Sequence, residues 1–180
     1  EQQRWYEFMQ HYQATDDAAL ECQFYWAKYK TGQVQEALNA AKRLWTVGYS
    51  EPKECDPLTS ALIMSPVFTQ DLIWQRLELA LKKDNVQLAE YVQRLLPAND
   101  QATAELWLRV HKTPSLIEDA SLWRGNDKQM GRIFANGVDR MAKSDLDSAL
   151  IIWDGKKYTF TLDNATEQQL ERRLALALAA

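Results

Sequence analysis

The sequence predicts an all-α protein made of helices that pair and stack, and three observations carry that prediction. Glycine is scarce, with 6 residues in 180, and the 5 prolines fall only at joints: Pro52, Pro57, Pro66, Pro97 and Pro114. A residue without an amide hydrogen belongs between helices rather than inside them. Between these joints apolar residues recur at the spacing of one helix face. A faint internal recurrence adds to this. Val34, Val86, Ile117 and Leu146 each lie three residues before an alanine (Ala37, Ala89, Ala120 and Ala149), with turn-forming or polar residues just upstream. Repeats of this kind stack helix pairs into an α-solenoid.

Taken in order, the pattern places helices near 2–12, 16–31, 33–47, 56–64, 69–83, 86–96, 99–111, 114–123, 127–143, 145–153 and 166–179. Asp16-Asp17 reads as a cap with a first-turn acid for the second of these. On that helix Cys22, Tyr25, Trp26 and Tyr29 fall on one side and Leu20, Phe24 and Ala27 on the other, so neighbours should cover both flanks. Thr31-Gly32 stops it. The next helix has one broad apolar face of Val34, Ala37, Leu38, Ala41, Leu44 and Trp45, and Gly48 and Pro52 end the pair. Trp26, Tyr29 and Trp45 are therefore expected in the core. The run Trp153 to Asn164, WDGKKYTFTLDN, interrupts the helical pattern. Its Asp-Gly turn and alternating Tyr158, Phe160 and Leu162 read as an extended connection before a capped helix starting at Thr166-Glu167.

Composition narrows the function classes. With 46% apolar and 26% charged residues the chain is globular. A net charge of −4, with basic residues scattered among acids, argues against a nucleic-acid surface, which needs a basic stripe. No apolar run is long enough to span a membrane. The chain starts at Glu1 without methionine or a signal peptide and ends in LALALAA, which reads as an unfinished helix. One domain, residues 1–180, excised from a longer protein, is the expectation.

No chemistry-bearing motif stands out. His11 and His111 each stand alone, without the ligand spacing of a metal site. Asp71/Glu78 and Glu167/Glu171 pair carboxylates at helical spacing, but on amphipathic helices whose polar faces are expected to be solvated. Ser121, Ser144 and Ser148 have no histidine at motif spacing, and no phosphate-cradling glycine loop is present. No catalytic, cofactor-binding or metal-binding residue is predicted, and no cofactor. The tryptophans Trp26, Trp45, Trp74, Trp107 and Trp123 lie beside Leu or Ala at helical spacing, as packing residues do rather than sugar platforms. Cys22 and Cys55 read equally as a bridge or as two buried thiols.

The segment Glu21 to Pro57 nevertheless carries a likeness. Cys22, Tyr25, Ala27, Lys28, Thr31-Gly32-Gln33, Glu36-Ala37, Ala41-Lys42, Leu44-Trp45, Gly48, Pro52 and Cys55-Asp56 stand in a register that resembles the U-shaped N-terminal helical domain of the periplasmic soluble lytic transglycosylases. These are muramidase-like enzymes of the cell wall. From Thr69 to Ala180 the likeness rests on helix order and composition. The resemblance implies a right-handed α-superhelix forming part of a ring, and a Cys22–Cys55 disulfide in an oxidising periplasm. It also implies a non-catalytic scaffold that helps position peptidoglycan glycan strands. A separate downstream lysozyme-like domain would cleave the bond between N-acetylmuramic acid and N-acetylglucosamine, leaving a 1,6-anhydro product. The motif housing that domain's catalytic glutamate, an acid followed by Ser and later by Gly-Leu-Met-Gln, is absent here. The competing expectation is a free-standing tetratricopeptide-like repeat that binds a protein or peptide in its groove. A cytosolic repeat has no reason to carry the cysteine pair with its flanking TGQ and CD.

Overall fold

The structure, a computed structural model, describes residues 2–123 and 128–180. The all-α expectation holds, and no strand occurs among the described residues. The helices are α1 (Gln2–His11), α2 (Ala18–Lys30), α3 (Val34–Trp45), α4 (Asp56–Ile63), α5 (Gln70–Lys82), α6 (Val86–Gln93), α7 (Ala98–Lys112), α8 (Lys128–Met141), α9 (Leu146–Lys156) and α10 (Asn164–Leu178). They gather into two compact units, Glu1–Leu96 and Pro97–Ala180.

Three tight turns build the helix pairs, and each solves the same problem. The last carbonyls of the first helix need donors, and the chain must reverse within a few residues. After α2, Thr31 donates its hydroxyl to Ala27 O (2.9 Å), Gly32 takes φ +94°, and Gln33 N reaches back to Lys28 O at 2.9 Å. After α5, Asp84 takes φ 57°, Asn85 N reaches Ala80 O at 2.8 Å, and the Asn85 side chain caps α6 by accepting from Leu88 N. After α8, Asp145 N reaches Met141 O at 2.8 Å while its carboxylate caps α9 through Ser148. The repeat read from sequence is therefore real at three of its four positions. Ala37, Ala89 and Ala149, each 0% exposed, mark where the second helix of a pair presses against the first.

The fourth position is not a copy. Residues 114–123, expected as an α-helix, form two 3-10 turns, Pro114–Glu118 and Ala120–Leu122. Asp119 is extended between them, its carboxylate accepting from Ser121 N at 2.9 Å, which breaks the helical ladder. Ile117 is fully buried against α8, while Ala120 is exposed.

The 153–164 run also departs from expectation. Helix α9 runs through Gly155 to Lys156, whose ammonium donates to Ile117 O (3.2 Å), and a 3-10 turn covers Lys157–Thr159. Only residues 160–163 are non-helical. The alternation was misleading because Phe160 packs inward, 4.7 Å from the Phe134 ring and 5.5 Å from Trp123, while Tyr158 is 86% exposed. Helix α10 starts at Asn164, two residues earlier than read, because Asp163 caps it through Thr166. The expected start of the preceding long helix at residue 127 lies outside the described residues. At α2, Asp17 alone is the cap, accepting from Ala19 N and Leu20 N; Asp16 lies outside the helix, and the first-turn acid is Glu21.

Candidate functional site

The helix pair α2–α3 and the loop that follows it are tied together by a disulfide and by ion pairs. Cys22 and Cys55 are joined by a disulfide, with each residue 1% exposed. The bridge fixes the second turn of α2 to the start of α4. Two ion pairs lie across the α2–α3 seam: Lys28 with Glu36, and Glu21 with Arg43. The Glu21 hydrogen bond, aided by Tyr25, raises the Arg43 guanidinium above its usual pKa.

Beneath the loop lies a buried cation. Arg76 on α5 is 3% exposed, its guanidinium 4.6 Å over the Trp45 ring. It donates to Glu51 Oε2 at 2.7 Å and to Tyr49 O at 3.4 Å. Trp45, 1% exposed, also meets Phe68 edge-on at 5.1 Å. A buried arginine is tolerated only when paired and bonded, and here one ring face, one carboxylate and one carbonyl supply that. Burial pushes the Glu51 carboxyl above the ordinary glutamate range, against the opposing pull of Arg76. Gly48 lets the loop cross this point. A side chain there would collide with the Leu79 carbonyl of α5.

Between the α2 N-terminus, the α3 C-terminus and this loop opens a cleft of about 220 Å³. Leu44, Val47 and Pro52 give it apolar walls, and the bridge borders it at Cys55. Its carboxylates are Asp16, Glu21 and Glu51, its cation Arg43. Sequence reasoning named Leu44, Pro52, Cys55 and Asp16 for other reasons, and it did not single out Glu51, Arg43 or Val47. Arg76 had a signal that was passed over: it lies on the apolar face of α5 with Ile73, Leu77 and Ala80, where a charge must find a partner.

The candidates that sequence did raise are spread out. Asp71 is an exposed first-turn acid of α5, and Glu78 pairs with Lys82 at 2.9 Å. Glu167 lies in the first turn of α10, and Glu171 pairs with Lys157 at 3.6 Å. Ser121 and Ser148 give their hydroxyls to the capping carboxylates of Asp119 and Asp145, and Ser144 to Met141 O. His11 is exposed, whereas His111 is buried with Nδ1 3.2 Å from Asn136 Oδ1. No cluster of three metal-ligating side chains occurs among the described residues. No helix among them is long and apolar enough to cross a membrane.

The aromatic expectation needs correction. Trp45, Trp74 and Trp107 are core residues, but Trp26 and Tyr29 are only half-buried. They stack on each other with centroids 5.3 Å apart and planes within 9°, and Lys30 lies 5.7 Å over Trp26. Trp123 is half-buried too, in the Phe134 and Phe160 cluster. Trp26 and Tyr29 share the Cys22 side of α2 by spacing, yet only Cys22 and Ala27 of that helix are fully buried.

Comparison with known proteins decides what this helical chain is like. No protein-family model matches it. It is 28% identical over 132 residues, 73% of its length, to a soluble lytic murein transglycosylase of Escherichia coli strain K12. It is 33% identical over 97 residues, 54% of its length, to one of Salmonella typhimurium. Among solved structures, an inactive variant of the lytic transglycosylase Slt from Pseudomonas aeruginosa superposes on 98% of the chain with a TM-score of 0.91 at 25% identity. The chain resembles the helical domain of soluble lytic transglycosylases. The 70-kDa soluble lytic transglycosylase of Escherichia coli shares the all-α fold, with a TM-score of 0.74 over 99% of the chain at 24% identity. The likeness is partial in one direction: the chain spans 20% of the Escherichia coli strain K12 relative and 29% of each of these solved chains. It extends beyond the Glu21–Pro57 segment that first carried it, because 98% of the chain superposes.

Proposed function

We propose that this chain is a non-catalytic helical segment of a peptidoglycan lytic transglycosylase. In this reading both compact units belong to one right-handed superhelical domain, part of a ring, in a longer periplasmic protein. A downstream lysozyme-like domain of the same protein cleaves the β-1,4 bond between N-acetylmuramic acid and N-acetylglucosamine. The helical wall restricts where a glycan strand can lie, so it contributes through orientation and binding rather than through the bond itself. The observation that carries the reading is the superposition of 98% of the chain on the Pseudomonas aeruginosa transglycosylase at a TM-score of 0.91. Two features support it. The Cys22–Cys55 bridge suits an oxidising compartment. The acids raised as acid/base candidates act instead as first-turn acids and ion-pair partners. Incubating the chain with purified sacculi tests this: it should cosediment with them and release no anhydromuropeptides. Release that disappears on replacing a single glutamate would overturn the non-catalytic role.

A further inference from the structure

We draw no further inference here: the strongest candidate, the unpartnered apolar surface that α10 presents at Leu176 and Leu178 in its last turns, carries nothing because nothing in the structure shows what covers it.

Discussion

Replacing Arg76 with methionine should be among the most damaging single changes in the first unit, and the reason is the carboxylate it leaves behind. Methionine preserves much of the stem's volume, so the loss is electrostatic. Arg76 is 3% exposed and the Glu51 side chain 12%, so solvent does not screen the pair. Breaking a buried pair by removing one partner typically costs about 3–5 kcal/mol. Glu51 has its other oxygen already unpaired, and Tyr49 O loses its donor as well. We therefore expect about 3 kcal/mol or more from urea unfolding at neutral pH, with the urea m-value unchanged. Glu51→Gln should cost less, about 1–2 kcal/mol, because a glutamine carbonyl still accepts from Arg76 while the buried negative charge disappears. The double variant should be more stable than Arg76→Met alone. The pH dependence has a fixed sign. Burial raises the folded-state pKa of Glu51, so the folded state holds this proton more tightly than the unfolded chain does. The stability it contributes is complete below the ordinary glutamate range and is lost as pH rises through the raised value. Glu51→Gln should flatten the stability profile over that window, from the ordinary glutamate range upward. If Arg76→Met were within 1 kcal/mol of the parent and its effect simply added to that of Glu51→Gln, the buried-pair account would be wrong.

Two further perturbations follow from packing. Thiol titration of the unreduced, denatured chain should find no free cysteine, and Cys22→Ala/Cys55→Ala should lose about 4 kcal/mol, the loop-entropy value for a bridge with a sequence separation of 33. Two reactive thiols would refute the bridge. Trp45→Ala should cost about 3–5 kcal/mol, while Trp26→Ala should cost clearly less, since one ring is 1% exposed and the other half-exposed. Equal losses in thermal unfolding would mean that the stacked Trp26–Tyr29 pair is packed as deeply as Trp45.

Where the sequence spoke through helix periodicity and joints it spoke accurately. Thr31-Gly32 ended α2, and Ala37, Ala89 and Ala149 marked three buried seams. It misled where local pattern competed with tertiary packing. Alternation around Tyr158 and Phe160 suggested extended chain from Trp153, but Phe160 was drawn into the Phe134 cluster and α9 continued to Lys156. The Ile117/Ala120 spacing mimicked the repeat, yet Asp119 turned the chain to bury Ile117 alone. Trp26 and Tyr29 had core spacing beside Cys22, but both rings are only half-buried and stack on each other. The cleft was illegible, because Glu51 and Arg76 are 25 residues apart and meet only when the loop crosses α5 at Gly48.

The proposed scaffold role is tested most directly by kinetics in a longer protein of the kind proposed to contain this chain, comparing long glycan strands with a short disaccharide-peptide substrate. Cys22→Ala/Cys55→Ala removes the bridge and leaves the sequence of the proposed downstream domain unchanged. The predicted result is a fall in kcat/KM on long strands, about tenfold for a loss of positioning near 1.4 kcal/mol, with turnover of the short substrate unchanged. Equal loss on both substrates in a variant that remains folded, or no loss on either, would contradict a wall that acts by placing the strand.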